Sequence, residues 1–361
     1  MRPDVFFPAR ARPFRHRHGW THILVSLLAP SPALAHGGEG LSASAAWSAW
    51  SVTPEISGPI FVTLAIYVRG VIRRRSVTQP VSAVRQTLFT SGMLALFLSL
   101  QSPIDPMGER LFLAHQIQHL LLRMVGPMLV VLARPQAVII AGLPEALRRS
   151  MIAPIMASGV ASGLYRRLTA PVMAFFLFLI SLYAWQVPPL HNAALLDPSI
   201  HWAMHLTMLA AGFVFFAMIF DRRDIPTAPA HFLRILLLFA TIVSNILLGA
   251  ITVFKSAVLY NAYDIEGRLF GIPPLTDETA GGFILWVPAS MMLIITIIIV
   301  VYDWNLTERK RLHRGHGMAK PVWATTRPDQ ANNRLGQLLG LSALTMFGLI
   351  IGAAVLVFSL G

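Results

Sequence analysis

Long apolar runs separated by short polar stretches set the pattern of this chain. A membrane-spanning helix needs about 20 mainly apolar residues. The stretches 54–72, 84–100, 111–133, 170–187, 200–220, 232–254, 281–302 and 335–358 answer to that description, the second and fourth being short. They predict an all-α fold, a polytopic membrane helix bundle of about eight transmembrane helices. Residues 36–361 read as one bundle domain, with no internal repeat and no low-complexity tract. The segment 135–169 predicts an amphipathic connection lying against the bilayer, where Arg148, Arg149, Arg166 and Arg167 suit anionic lipid headgroups.

A different pattern precedes the first span. Residues 1–20 carry Arg2, Arg10, Arg12, Arg15 and Arg17, a short apolar stretch covers 23–34, and Ala33-Leu34-Ala35 closes it. A basic region, an apolar region too short to span and a small-residue end read as a secretory signal peptide, 1–35. Cleavage after Ala35 would leave His36 as the mature N-terminus, outside the cytoplasm, where its α-amine and imidazole form a candidate copper-capturing pair.

Charge then orients the spans. Alternate connections hold Arg73 to Arg75, then Arg134, Arg148, Arg149, Arg166 and Arg167, then Arg222 and Arg223, then Arg309, Lys310, Arg311, Arg314, Lys320, Arg327 and Arg334. The opposite connections hold Arg110, Lys255 and Arg268. The positive-inside rule therefore agrees with the leader, and both predict periplasmic termini for a multi-pass protein of the inner (plasma) membrane. A net charge of +13 fits this clumped distribution, so the partner implied is the lipid bilayer and not a nucleic acid. At 12% charged residues, the chain also falls well below the roughly one quarter usual in soluble proteins. With no cysteine, thiolate metal sites and thiol nucleophiles are excluded.

Of 12 histidines, those inside the expected spans form two pairs, His115 with His119 and His201 with His205. A spacing of four stacks both rings of a pair on one helix face. Both pairs fall within the first few turns after the outer ends of their spans, so neighbouring helices would bring four imidazoles to one depth. Imidazole suits copper, zinc, iron or nickel, and a thioether tips the choice towards Cu(I). Met208 follows His205 on the same face, and Met204, Met124 and Met107 are near in sequence. An extracytoplasmic His and Met site without Cys fits copper best; hydrogen bonding between helices and proton transfer are the competing uses of the same rings. His191, in the loop before the fifth span, is a candidate delivery group or fifth ligand. Arg123 continues the His115, His119 stripe with no carboxylate expected in any span interior, which directs it to backbone carbonyls, to Ser244 and Asn245, or to an anion.

The stretch from His115 to Leu129, His-Gln-Ile-Gln-His-Leu-Leu-Leu-Arg-Met-Val-Gly-Pro-Met-Leu, with Arg134-Pro135 after it, resembles the CtaG family of cytochrome c oxidase assembly proteins. So do Trp185 with Pro188, the pair His201 and His205, Leu247-Leu248-Gly249, Tyr260 with Tyr263, and Asp277 with Gly281, Gly282 and Trp286. The likeness covers about residues 110–305. Phe215-Phe216 stands where the family tends to have Phe-Trp, and Arg123 is a charge where an apolar residue is expected. A single-span copper chaperone of the same name depends on cysteines, which this chain lacks. The resemblance implies a non-enzymatic metallochaperone: copper from a periplasmic copper donor, held by the four histidines with Met208, and passed to cytochrome c oxidase subunits. Two other readings use the same residues. A copper permease would need polar ligands continuing through the bilayer, and a di-iron membrane oxygenase or desaturase would need more histidines, on the cytoplasmic side. A haem is disfavoured, because two rings one turn apart on one helix cannot take opposite faces of it.

Overall fold

The apolar stretches fold as helices whose ends carry the expected chemistry. The structure is a computed structural model and describes residues 41–75, 80–223 and 228–315; all belong to the compact unit Glu39–Gly361. The expected leader, His36 and the eighth apolar stretch lie outside the described residues. Helix α1 (Pro54–Arg74) begins with a proline, where no N–H is needed, and has Glu55 in its first turn and Arg73 and Arg74 in its last, matching the helix dipole. Helix α2 (Ala83–Gln101) is capped by the Ser82 hydroxyl, which accepts from the Arg85 N–H. Helix α3 (Phe112–Ala133) contains a π-helical turn at Leu121–Val125 and stops at Arg134, which takes the left-handed conformation just before Pro135.

Helix α4 (Gln136–Gly142) and short helical pieces over 145–157 lead into α5 (Gly159–Leu168) and α6 (Pro171–Ala184). Then come α7 (Pro188–Leu196), α8 (Pro198–Ile219), α9 (His231–Val253) and the 42-residue α10 (Pro274–Gly315). The Asp197 carboxylate caps α8 by accepting from the N–H groups of Ser199 and Ile200. No strand occurs among the described residues.

Six of these helices are long and apolar enough to cross a membrane: α1, α2, α3, α8, α9 and α10 over Pro274–Arg309. The expected fourth span is shorter than predicted. Prolines at 171 and 188 each start a new helix, which leaves α6 with 14 residues, about 21 Å of rise. It reaches bilayer length only with α5, from which it is bent by 65°. Helix α10 differs in the other direction, beginning at Pro274 where the span was expected at 281. That earlier start brings Asp277 and Glu278, both fully buried, into a wall where no carboxylate was expected. Helix α9 begins at His231, one residue before the expected span, so a fifth histidine lies on a long apolar helix; its ring stacks on Trp304 at 5.9 Å.

Contacts sort the helix ends into two groups. At one end Arg73 donates to the Ala141 carbonyl, Arg85 to that of Arg134 and Arg234 to that of Ile219, while Arg222 pairs with Asp303. At the other, the Thr53 N–H donates to Gln101, Arg110 donates to the Gly267 carbonyl, and Lys255 pairs with Glu278. Arg73, Arg85, Arg134, Arg222 and Arg234 thus gather at one end of the bundle. The outward faces are apolar, with Phe61, Val172, Phe176, Phe239 and Leu247 exposed, while Gln116, Arg123, Thr241 and Asn245 are buried. Apolar outside and polar inside is the arrangement lipid imposes.

Helix α3 is the central element, about two thirds buried where α1 is less than one third buried. Helix α8 packs directly on it, with Gly212 against the α3 backbone: a Cβ at Gly212 would collide with the Arg123 carbonyl oxygen. Small residues permit such backbone approach between membrane helices. Gly70 of α1 and Gly142 of α4 interlock in the same way near the arginine-rich end.

Candidate metal centre

The His115 and His119 pair of α3 faces the His201 and His205 pair of α8. Ring centroids are 4.2 Å apart for His115 and His119 and 4.4 Å for His201 and His205; across the two helices they are 5.6 Å for His115 and His201 and 5.7 Å for His119 and His205. Donor nitrogens of His115, His201 and His205 lie within 4.8 Å of one another. Three nitrogens at about 2.0 Å from one metal ion would stand about 3.4 Å apart, so small ring rotations close the set. The donor chemistry fits a metal. Nε2 of His115, Nε2 of His205 and both ring nitrogens of His119 are buried without hydrogen-bond partners, whereas buried polar atoms are ordinarily satisfied.

Helix α7 and the loop 254–273 form the rest of the wall. His191, fully buried on α7, lies within 2.9 Å of the Trp185 carbonyl through Nδ1 and within 2.8 Å of the Tyr263 hydroxyl through Nε2. Tyr263 is also 2.7 Å from Nδ1 of His115. Burial pushes His191 down to about 4 and raises the Tyr263 phenol well above its ordinary value, so both are neutral near pH 7. Both nitrogens of His191 are therefore engaged, and its ring centroid stands 5.0 Å from that of His115. Met208 is fully buried in an apolar cluster with Trp185, Ala194 and Met204; Met124 and Met107 pack in two other clusters.

Among the described residues, Nε and Nη1 of Arg123 take neither the backbone carbonyls nor the Ser244 and Asn245 side chains expected for them. The guanidinium lies 5.3 Å over the Phe178 ring, and the Asn245 amide is likewise unpartnered. The Ser244 hydroxyl is instead bound to that of Tyr183, because α9 faces α6 at this level.

A buried ion network fixes the loop over the site. Arg268 donates to Asp264 (2.8 Å), Asp277 (2.6 Å) and Glu278 (3.0 Å), and its guanidinium lies 5.4 Å from the Tyr263 ring. Asp277 also accepts from the N–H groups of Phe112 and Leu113 at 2.8 and 2.9 Å. One carboxylate from α10 thereby caps the helix that carries His115, a contact across 165 residues. Asp277→Asn is expected to lower stability by about 1.5–3 kcal/mol, the range for hydrogen bonds to a charged group. Thermal unfolding of the purified protein checks this.

Two carboxyls beside the site titrate unusually high. Asp105, which accepts from Gln118 at 2.6 Å, is raised by burial from 3.8 to about 6. Glu109 is raised from 4.5 to about 8 by burial, then by the charges of Asp105 and Glu266. The folded chain thus holds protons that the unfolded chain has released, so stability falls as pH rises from 3.8 to about 6 for Asp105 and from 4.5 to about 8 for Glu109. Unfolding temperature is expected to drop between pH 5 and pH 8 (about the window of the Glu109 shift), and Glu109→Gln to flatten that dependence.

Sequence reasoning named Tyr260, Tyr263 and Asp277 only as points of family likeness. Their roles as hydroxyl bridge and helix cap come from contacts between distant segments, which no local spacing signals.

An uncharacterized protein of Mycobacterium leprae (strain TN) is 26% identical over 296 residues, covering 78% of this chain and 43% of its own length. Uncharacterized proteins of Mycobacterium bovis and Mycobacterium tuberculosis are each 28% identical over 300 residues, with the same coverage. The chain therefore spans less than half the length of the curated relatives it matches. No solved structure matches it. The model of the cytochrome c oxidase caa3 assembly factor family, Caa3_CtaG, matches residues 65–306, a region that holds all four paired histidines, His191 and Tyr263. The chain belongs to that family.

Proposed function

We propose that this protein assists the assembly of a cytochrome c oxidase by holding copper in the His115, His201 and His205 cluster and releasing it to an oxidase subunit in the same bilayer. The observation that carries the reading is the convergence of three imidazole donors from two helices, together with buried ring nitrogens of His115, His119 and His205 that have no partner among the described residues. Copper is favoured over zinc because Met208 stands three residues after His205 to supply a soft thioether. His119, with neither nitrogen engaged, is suited to be the exchange ligand during transfer. The arginine-rich helix ends lie opposite the histidines, and the positive-inside rule then turns the histidine end to the periplasm, where a copper donor would load it. Copper is cargo in this scheme and no substrate bond is made or broken.

The test is genetic and analytical. Deleting the gene is expected to lower oxidase activity and oxidase copper content. A variant with all four paired histidines changed to alanine is expected to reach the membrane without restoring either. A fully metallated oxidase in the deletion strain would overturn the assembly reading. Copper uptake into vesicles that contain this protein alone would favour a permease. Against the permease stands Arg123, one turn deeper than His119, because a buried guanidinium without a counter-charge repels a cation on that path.

A further inference from the structure

We infer that His191 and Tyr263 form a directional hydrogen-bond relay that sets the tautomer of His115 and thereby turns its Nε2 lone pair towards the centre. The role for copper rests on the reading above; the relay itself is a property of the metal-free protein.

The direction follows from what each group can donate. The Trp185 carbonyl only accepts, so His191 Nδ1, 2.9 Å away, carries the hydrogen. A neutral imidazole protonated at Nδ1 has a bare lone pair at Nε2, and that nitrogen is 2.8 Å from the Tyr263 oxygen. The phenol therefore donates to His191. A phenol has one hydrogen, so its 2.7 Å contact with His115 Nδ1 runs the other way, with the imidazole N–H donating to the phenol oxygen. His115 is left with its hydrogen on Nδ1 and a lone pair on Nε2, the atom that is buried and without a partner among the described residues, in a ring with a donor nitrogen within 4.8 Å of those of His201 and His205. His201 is set in the same sense more simply: its Nδ1 lies 3.2 Å from the Ala194 carbonyl.

The relay is mechanically fixed as well. Its first acceptor, the Trp185 carbonyl, ends α6. Its middle member, Tyr263, lies against the Arg268 guanidinium, which Asp277 and Glu278 hold. Because Asp277 also caps α3, the relay and the helix it acts on share one anchor. His191 and Tyr263 are thus positioning residues, acting on the centre through His115. Outer partners of this kind orient metal-binding imidazoles and raise their basicity.

The experiment reads tautomers directly, from nitrogen chemical shifts of the metal-free protein labelled with 15N at histidine, His115 being assigned by its loss in His115→Gln. The wild-type protein is expected to show His115 protonated at Nδ1. His191→Leu removes the acceptor of the phenol hydrogen, which then turns to His115 Nδ1 and drives the ring proton to Nε2; the expected result is a reversed tautomer. Tyr263→Phe removes the oxygen altogether and is expected to give a mixture. Tyr260→Phe, which alters a neighbouring buried tyrosine bonded to the Gln186 carbonyl, should leave His115 unchanged. Copper affinity is expected to fall about 10–100-fold in His191→Leu and Tyr263→Phe, with stoichiometry retained. An unchanged His115 tautomer in His191→Leu overturns the relay, whatever copper does. A relay that reads as described in a protein that takes up no copper would leave it standing and remove the copper reading instead.

Discussion

Replacing His115 and His205 together with alanine is expected to take the purified protein from about one copper per chain to background. The pair is chosen because α3 loses its one member of the converging trio and α8 one of its two, leaving His201 on α8 and His119 on α3. No chelate with two donors from one helix then remains. Single substitutions are expected to grade the site. His115→Ala or His205→Ala removes a direct donor and should cost more than the 10–100-fold that an outer partner is worth, roughly 100-fold or above. His119→Ala keeps the trio and should retain copper while slowing its handover to a competing chelator. None of these changes should unfold the protein, because Nε2 of His115, Nε2 of His205 and both nitrogens of His119 have no hydrogen-bond partner among the described residues, and His115→Ala gives up the single bond from Nδ1 to Tyr263. Metal analysis after purification, with circular dichroism to confirm the helices, decides it. Copper content equal to wild type in the double variant would end the case for this site.

The parts of this arrangement visible in the sequence are those that a helix repeat encodes. A spacing of four fixes which rings share a face, and apolar length fixes which segments can span, so both histidine pairs and six of the long helices could be placed from residue order. The basic clusters marked one end of the bundle for the same local reason, since loops of one kind follow every second span. What residue order did not disclose depends on contacts between distant segments. Asp277 caps a helix 165 residues earlier. Tyr263 reaches His115 across 148 residues and His191 across 72. Nothing near Asp277 marks it as a cap, because its partners are backbone N–H groups that every helix start possesses. The short α6 was readable in part, since Pro171 and Pro188 bracket it, but apolar composition alone carried the segment to 187, past the end of the helix at Ala184. Arg123 shows the limit from the other side. Its cost in a membrane interior was evident, yet the Phe178 face it lies over is set by how α6 packs on α3.

Gly212→Leu is expected to abolish copper binding without touching a ligand. The residue sits on α8 two turns beyond His205, against the Arg123 carbonyl at the π-helical turn of α3. A backbone carbonyl cannot move aside as a side-chain end can, so any Cβ at 212 must push the two helices apart. The histidine donors tolerate little of this. They start within 4.8 Å of one another and must close to about 3.4 Å around an ion, so a further separation of an ångström or two leaves each helix with its own pair and no shared centre. Overpacking of this kind costs about 1–3 kcal/mol, so a lower unfolding temperature is expected alongside the lost metal. Gly142→Leu supplies the comparison. It overpacks the α1 and α4 contact, where a Cβ would strike the Ile66 carbonyl, near the arginine-rich end and away from the histidines. That variant should lose similar stability and keep its copper, with Gly212→Ala falling between the two. If Gly142→Leu and Gly212→Leu lost copper to the same degree, the effect would belong to general destabilisation; if Gly212→Leu kept full affinity, close approach of α3 and α8 would not be what assembles the centre.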